Sequence, residues 1–328
     1  MRITVLTKQV DVNGHPYDPV ADQIAAALKA GGHAASVLAA GDDARKLISG
    51  LSRRKPDLVF NVLEEFGPTL YGAVAVAGLL ELLGYPYTGG GPGELYVRQD
   101  KALAKKLLRF EKVPTPDFAV FSLDADLETG GNLRLPLFVK PLRMDASIGI
   151  DGKALVTSSK DLLDRVKRIH TQVGDSALAE EYIDGREFYV GVLGNQTPQA
   201  FPPVEVDFSK LPAGKPRIMD SKAKWDEASP EFKGTKSVVA DGLPAELTAK
   251  LQKVALDAYR SCRVRDYGRV DLRLAETGDI FVIEVNASCY LEKTSEFATA
   301  AKAAGIDYPT LINRIAGLAI ERQAVGKT

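Results

Sequence analysis

The N-terminal part of the chain alternates short strand-forming runs with helical stretches, and this alternation allows few architectures. A β-rich run covers residues 2–7, and an Ala-rich helical stretch follows at about 19–30. An apolar strand at 57–61 and a helix near 72–83 repeat the pattern. Strands that alternate with helices form parallel sheets, because each helical connection crosses the sheet before the next strand begins. Residues 1–95 are therefore predicted to form a Rossmann-like α/β domain with a parallel sheet.

A glycine-rich stretch at 88–93 separates this region from the rest of the chain. Its sequence, TGGGPG, breaks regular structure and predicts a flexible connector. An amphipathic helix rich in Lys and Arg is predicted next, at 97–110. After it, the regular alternation of one strand with one helix stops. This change predicts two further α+β lobes with antiparallel sheets, a central lobe at 96–178 and a C-terminal lobe at 179–328.

The composition excludes several classes of protein. The 328 residues include 42 Lys plus Arg and 43 Asp plus Glu, so the net charge is −1 and no overall field attracts nucleic acid or anionic membrane. The most apolar stretch, at 72–83, is interrupted by Glu81 before it could span a bilayer. Two cysteines and three scattered histidines favour neither a disulfide framework nor a zinc site. Residues 1–8 lack the pattern of a secretory signal, so we expect a cytoplasmic protein without nucleic-acid or membrane partners.

Three oxygen-bearing side chains near the C-terminus predict a magnesium site. Glu284 and Asn286 are two residues apart in a predicted strand and share a face. A neighbouring antiparallel strand, RVD, brings Asp271 beside them and places Arg269 nearby. Hard oxygen donors of this kind bind Mg²⁺ and leave positions open for phosphate oxygens. The alternative is a hairpin whose polar residues face solvent.

A second group of residues predicts a phosphate site. Lys140 ends a predicted strand, and the small residues around Ser147 in the loop 141–152 allow backbone amides to approach a polyphosphate. Lys101, in the preceding helix, offers another cation. The alternative for each lysine is a solvated surface charge.

Two further segments predict nucleotide contacts. Strand alternation turns Glu181 and Ile183 to one face, where they can bind an adenine or a ribose, although a plain strand followed by an Asp-Gly turn is an alternative. The Lys-rich segment 207–237, which contains Lys224, is too long for a simple connector and predicts a basic lid over phosphates. A solvated loop is the alternative there.

The ordered set of motifs resembles the ATP-grasp superfamily, and most closely its D-alanine:D-alanine ligase branch. The resemblance covers nearly the whole chain. The segments that carry it are GLLELLGYPYTGGG, DK, VPTP, LFVKP, EEYIDGREFYVGVLG, AKW, YGRVD, EVN and AAKAAGIDYPTLI. It implies a three-lobed ATP-grasp architecture in which two antiparallel sheets clamp ATP. It also implies that a carboxylate is phosphorylated to an acyl phosphate, which an amine attacks with release of ADP and phosphate.

The resemblance also implies roles for individual residues, with ATP and Mg²⁺ as the cofactors, two magnesium ions being expected and Mn²⁺ a possible substitute. The implied nucleotide-binding residues are Lys101, Lys140, Ser147, Glu180, Glu181, Ile183, Glu187 and Lys224. The implied metal ligands are Asp271, Glu284 and Asn286. Arg269 is implied to stabilise the tetrahedral intermediate, Lys224 to act at the γ-phosphate, and Ser147 to take part in catalysis.

Departures from the family pattern cluster around the amino acid pocket. The Gly-Gly-x-Ser-x-Glu stretch of the resembled ligases corresponds to residues 7–12, which lack the glutamate. Ala146 replaces the first serine of the phosphate loop, and Trp225 replaces the tyrosine of the lid. Tyr290 stands where the family has a glycine. The nucleotide half of the pattern is kept, so the hypothesis is the same reaction on other substrates.

The leading hypothesis is therefore an ADP-forming carboxylate–amine ligase acting on small-molecule substrates other than two D-alanines. A genuine D-alanine:D-alanine ligase and an ATP-binding module or kinase without ligase activity stay open as alternatives. Whether Cys289, Tyr290 and Trp225 contact the substrate or only pack in the core also stays open. Because the resembled family is commonly dimeric, a homodimer is implied.

Overall fold

A computed structural model describes residues 1–12, 14–123, 128–130, 132–144, 148–212 and 214–325 of the chain. The N-terminal region is a four-stranded sheet with helices α1 (Val20–Ala30), α2 (Ala44–Arg54) and α3 (Gly72–Leu82). Its strands are β1 (Arg2–Val12), β2 (His15–Tyr17), β3 (Ala34–Ala40) and β4 (Leu58–Asn61). β1 pairs in parallel with both β3 and β4, as the alternating sequence predicts.

The short strand β2 makes this sheet mixed instead of fully parallel. It pairs with the end of β1 in antiparallel orientation, and Val12 lies opposite His15. A connection of two residues is too short for a helical crossover, so the chain can only turn back beside β1. Gly14 in this turn has a φ of 81°, in the left-handed region that glycine adopts without strain.

Residues 88–91 of the glycine-rich stretch are buried, and their backbone amides donate hydrogen bonds to Asp266 and Ser288. The prediction of a flexible connector is therefore wrong. Pro92 begins helix α4 (Pro92–Gln99), and helix α5 (Lys101–Phe110) follows directly. The single helix predicted at 97–110 is therefore two helices. Asp100 separates them because its backbone is extended and its carboxylate accepts a hydrogen bond from the Leu103 amide, which caps α5.

The central region is a five-stranded antiparallel sheet, as predicted. Its strands are β5 (Phe118–Phe121), β6 (Glu128–Gly130), β7 (Leu137–Pro141), β8 (Leu155–Val156) and β9 (Ala177–Glu181), in the order β6-β5-β9-β7-β8. Helix α6 (Ser159–Arg168) continues into one π-helical turn at Ile169–Val173. The boundary predicted between 178 and 179 falls inside β9, and the division into three domains stays a prediction.

The C-terminal region contains a six-stranded antiparallel sheet. Its strands are β10 (Gly185–Leu193), β11 (Gln199–Ala200), β12 (Val204–Asp207), β13 (Lys236–Val239), β14 (Tyr267–Ala275) and β15 (Ile280–Ala287), with the path β13-β12-β10-β14-β15 and β11 beside β10. Its helices are α7 (Ser221–Trp225), α8 (Pro230–Gly234), α9 (Ala245–Ser261), α10 (Glu296–Ala303) and α11 (Tyr308–Val325). The long segment at 207–237 thus contains two short helices. None of the helices in the described ranges has the length and apolar character needed to cross a membrane.

One hydrophobic core joins the N-terminal sheet to the C-terminal region. Ile24 of α1 and Phe60 of β4 belong to the same buried cluster as Phe201, Tyr267 and Phe297. The rings of Phe201 and Tyr267 lie 5.4 and 5.8 Å from the ring of Phe297. Because this packing is continuous, the N-terminal strands and the C-terminal sheet are fixed relative to each other.

A buried carboxylate reinforces the junction between these regions. Asp266, which is 0% exposed, accepts hydrogen bonds from the Gly89 amide at 2.9 Å and the Asn195 amide group at 3.1 Å. The Arg322 guanidinium of α11 donates to both its oxygens, at 3.1 and 2.9 Å. The carboxylate therefore connects the glycine-rich stretch to β14 and to the last helix.

We predict that Asp266→Ala lowers the free energy of unfolding by about 3 kcal/mol, because it leaves the Arg322 charge and the buried Gly89 amide without their acceptor. Urea denaturation followed by circular dichroism measures the change. Asp57→Ala is the matched control, since Asp57 also binds an arginine, Arg2 at 2.9 Å, but on the surface. We expect its denaturation midpoint to match that of the wild type. Equal losses in the two variants would contradict the structural role of Asp266.

Candidate active site

A cavity of about 710 Å³ lies between the central and C-terminal sheets. All the predicted site residues in the described part of the chain line it, and they come from α5, β7, β9, β10, α7, β14 and β15 and the segment after β9. These residues are Lys101, Lys140, Glu180, Glu181, Ile183, Glu187, Lys224, Arg269, Asp271, Glu284 and Asn286. Ser147 lies outside the described residues.

The hairpin of β14 and β15 brings the predicted metal ligands together. Asp271 lies directly opposite Glu284, and Arg269 lies opposite Asn286. The Asn286 amide donates to Asp271 Oδ2 at 3.2 Å, and the Arg269 guanidinium donates to both Asp271 oxygens at 2.7 and 3.0 Å. Asp271 is only 7% exposed. The antiparallel pairing predicted from the sequence is confirmed, and the alternative of a solvent-facing hairpin is wrong.

The two carboxylates of this hairpin have opposite pKa shifts. Burial raises the pKa of Asp271 to about 6, although Arg269 opposes the shift. Burial also acts to raise the pKa of Glu284, but Lys101, Lys140, Lys224 and Arg269 outweigh it and lower that pKa to about 2. The cations around Glu284 therefore favour its anionic form.

Arg269 is held rigidly at the edge of this group. Besides its two bonds to Asp271, its guanidinium donates to Glu296 at 3.2 Å and lies 4.4 Å from the centre of the Tyr189 ring. Contacts on three sides fix the orientation of the planar group. Glu296 and Tyr189 also line the cavity, and the sequence did not identify them.

At the cavity wall, one carboxylate binds two lysines. Glu180 lies 2.7 Å from Lys140 Nζ through one oxygen and 2.7 Å from Lys105 Nζ through the other. All three side chains are at most 5% exposed. Sequence reasoning missed Lys105, although it proposed Lys101 of the same helix as a cation for phosphate. The available signal was its spacing of four residues from Lys101, which puts both on one helix face.

The predicted adenine and ribose residues lie on β9, on β10 and on the segment between these strands, and all of them line the cavity. Glu181 Oε1 accepts two hydrogen bonds from Arg134, both at 3.0 Å. Glu187 accepts from Tyr189 at 2.9 Å and pairs with Arg273 at 2.5 Å. Ile183 lies beyond β9, which ends at Glu181, so the strand alternation used to place it is wrong although it lines the cavity. The sequence missed Arg273, a further cavity cation.

Two segments meet over the cavity. Lys224 lies on the short helix α7, where the Asp220 carboxylate accepts a hydrogen bond from the Ala223 amide and caps the helix. Ser221, at the start of the same helix, donates its backbone amide and its hydroxyl to the Ile150 carbonyl at 3.3 and 3.1 Å. The segments 207–237 and 148–152 thus contact each other. The side chain of Trp225 lies outside the described part of the structure.

The end of the cavity near the N-terminal sheet is formed by the loop after β15. Cys289 and Tyr290 both line it. Burial raises the pKa of the Cys289 thiol to about 12, so this thiol is not a nucleophile at neutral pH. The Tyr290 hydroxyl donates to Asp18 Oδ2 at 2.9 Å, which ties the loop to the segment before α1.

Comparisons with known proteins agree with this geometry. The sequence profile of the family described as D-ala D-ala ligase C-terminus matches residues 107–317, more than half of the chain. The chain is 35% identical over 315 residues to the uncharacterized protein y4sG of Sinorhizobium fredii, covering 94% of this chain and 89% of that protein. It is 31% identical over 255 residues to the D-alanine–D-alanine ligase of Carboxydothermus hydrogenoformans, covering 75% of this chain and 77% of that protein.

A similar solved structure is the D-alanine–D-alanine ligase of Bacillus anthracis complexed with ATP. It superposes with a TM-score of 0.76 over 99% of both chains, at 24% sequence identity, and supports the ATP-grasp fold. The family profile and the identity to the relatives above show that this chain belongs to the D-alanine–D-alanine ligase family of ATP-grasp proteins, which are ATP-dependent ligases that form carbon–nitrogen bonds.

Proposed function

We propose that this protein is an ATP-dependent carboxylate–amine ligase that forms an amide bond through an acyl phosphate and releases ADP and phosphate. The observation that carries the proposal is the meeting of three lysines with the Asp271–Glu284 pair in one cavity between two antiparallel sheets. Cations that contact phosphates and oxygen donors suited to Mg²⁺ are the two requirements of phosphoryl transfer from ATP.

The donor set fits magnesium. Asp271, Glu284 and Asn286 offer two carboxylates and an amide oxygen, all of the hard type that Mg²⁺ prefers. Among the described residues there is no cluster of three or more His, Cys, Asp or Glu that could form an all-protein metal cage. A set of this kind suits an ion that also binds phosphate oxygens. Bound there, Mg²⁺ would neutralise charge on the phosphates during transfer.

The surrounding side chains supply the remaining steps of the proposed reaction. Lys101, Lys140 and Lys224 bind the phosphates and orient the γ-phosphoryl group toward the carboxylate substrate. The fixed guanidinium of Arg269 stabilises the negative oxygen that develops when the amine attacks the acyl phosphate. The contact between Ser221 and Ile150 supports a closed form of the two segments, which excludes water that would hydrolyse the acyl phosphate.

The residues at the cavity end near the N-terminal sheet, which we call the substrate end, support the proposal that the substrates are not two D-alanines. Tyr290 occupies the loop position where the family pattern has a small residue, and its ring lines the cavity. Its bond to Asp18 holds the ring across that end. A bulky phenol and a carboxylate there change both the size and the polarity of the acceptor pocket, so we propose a carboxylate and an amine of different shape.

We predict that Glu284→Gln lowers ADP release by about two to three orders of magnitude and raises the Mg²⁺ concentration needed for half-maximal rate, because an anionic oxygen ligand becomes a neutral amide. A coupled assay for ADP over a Mg²⁺ titration measures both values.

The matched control is Glu205→Gln, which makes the same chemical change on β12. Glu205 pairs with Arg186 at 2.7 Å and is not among the residues that line the cavity. We expect its rate and its Mg²⁺ dependence to match the wild type. A Glu284→Gln enzyme with unchanged rate and Mg²⁺ dependence would refute the metal assignment.

We further predict that phosphate release with Mg-ATP responds to a carboxylate and amine pair outside D-alanine. Pools of D- and L-amino acids, small peptides and simple carboxylates are tested, and a responding pool is divided until one pair remains. Mass spectrometry then identifies the amide. Stimulation by D-alanine alone would contradict the substrate proposal and favour a genuine D-alanine–D-alanine ligase. A stable phosphorylated product without an amine would indicate a kinase, and no response to any pool would contradict the ligase proposal.

A further inference from the structure

The buried side chain of Lys105 lies beside the proposed nucleotide site without forming part of its surface. Glu180 and Lys140 line the cavity, whereas Lys105 is not among the described residues that do so. Its ammonium group contacts Glu180 Oε2 at 2.7 Å and the Thr115 hydroxyl at 2.9 Å, and the residue is 2% exposed. Lys105 is therefore not placed to contact a ligand in the cavity, but it bonds to Glu180, which is.

Lys105 shares in compensating the negative charge of Glu180. Glu180 binds Lys140 and Lys105 with one oxygen each, so two ammonium groups share one carboxylate. Burial acts to raise the pKa of Glu180, but the two lysines outweigh it and the pKa is lowered, which keeps the carboxylate ionised. Burial lowers the pKa of Lys105, but the contact of its ammonium with Glu180 at 2.7 Å favours the charged form. With both lysines protonated, the three groups together carry one net positive charge. Without Lys105, the carboxylate would neutralise Lys140 alone.

Lys101, the neighbouring cation, does not supply an equivalent positive charge. Lys101 Nζ lies 3.8 Å from Glu284 Oε1 and also donates to the Met144 carbonyl at 2.7 Å. A carboxylate thus offsets its charge as well. The uncompensated positive charge at this wall belongs to the group formed by Lys105, Glu180 and Lys140, and only Lys140 presents it to the cavity.

We propose that Lys105 is a positioning residue that neutralises Glu180 and so leaves the charge of Lys140 available to the phosphates of the nucleotide. This inference rests on the proposed function, because it requires a polyphosphate in the cavity. Lys105 would thus act on the nucleotide site without contacting the nucleotide itself.

Lys105 also has a second contact, with Thr115, and the effect of this contact must be distinguished from the effect of the Lys105 charge. The Thr115 hydroxyl, which accepts from Lys105, donates to the Val282 carbonyl on β15 at 3.0 Å. Lys105 therefore also belongs to a hydrogen-bonded link between α5 and the hairpin that carries Glu284. Thr115→Val removes this link and keeps every charge.

The test compares the affinity of the full-length protein for AMP-PNP with Mg²⁺ by isothermal titration calorimetry, and thermal unfolding checks that each variant is folded. Lys105→Met should weaken binding about tenfold, since one charge is lost at roughly 10 Å in a medium of intermediate dielectric constant. Binding of adenosine, which lacks phosphates, should stay within about threefold of wild type in the same variant. Thr115→Val should also stay within about threefold.

Each outcome decides the inference. An equal loss of affinity for adenosine in Lys105→Met, or a Thr115→Val variant that binds AMP-PNP as weakly, would show a structural role and overturn the proposal. If Lys105→Met does not fold, Lys105→Gln takes its place: a larger loss for AMP-PNP than for adenosine supports the proposal, and equal losses overturn it. A wild-type protein that does not bind AMP-PNP would instead refute the proposed function itself.

Discussion

The arrangement of this site depends on compensation between buried charges. An ionised side chain in a protein interior is costly unless an opposite charge and hydrogen bonds accompany it. The carboxylates of Asp271, Glu180 and Glu187 at the cavity accordingly each have a cation within 2.7 Å. These pairs are Arg269–Asp271, Arg273–Glu187, Lys140–Glu180 and Lys105–Glu180. Since removal of one partner would change the balance of charge around those that remain, the groups constrain each other and hold the strands that carry them.

This network also prepares the site for a charged ligand. The side chains of Lys140 and Arg269 are already oriented by their partners, so a polyphosphate or a developing oxyanion meets fixed charges and requires little reorganisation. Lys101 and the link through Thr115 extend the network from α5 to the β15 strand, so the two sheets that enclose the cavity are connected by polar contacts. The chemistry and the relative position of the sheets therefore rest on the same bonds.

The sequence predicted the parts of the fold that follow from local patterns. The parallel pairing of β1 with β3 and β4 and the β14–β15 hairpin come from periodicity and turn residues, which act over short distances. The prediction of a flexible connector at 88–93 failed. The same glycines that suggest flexibility allow a close approach to Asp266, which is 177 residues away from Gly89 in the sequence. The sequence missed Lys105 for a similar reason: its burial depends on Glu180, which a helix pattern does not reveal. Arg273 and Glu296 likewise acquire their roles only through partners on distant strands.

The proposed nucleotide end and the proposed substrate end of the cavity are held by different kinds of contact, and this difference would let one end change while the other is kept. The nucleotide end is built on strands whose charged residues compensate each other, so a single substitution there disturbs several groups. The substrate end is formed by the loop after β15 and the segment before α1, joined by the bond between Tyr290 and Asp18. Tyr290 is 47% exposed, and a change in such a loop breaks few buried contacts. A change of substrate is therefore compatible with an unchanged phosphoryl-transfer site.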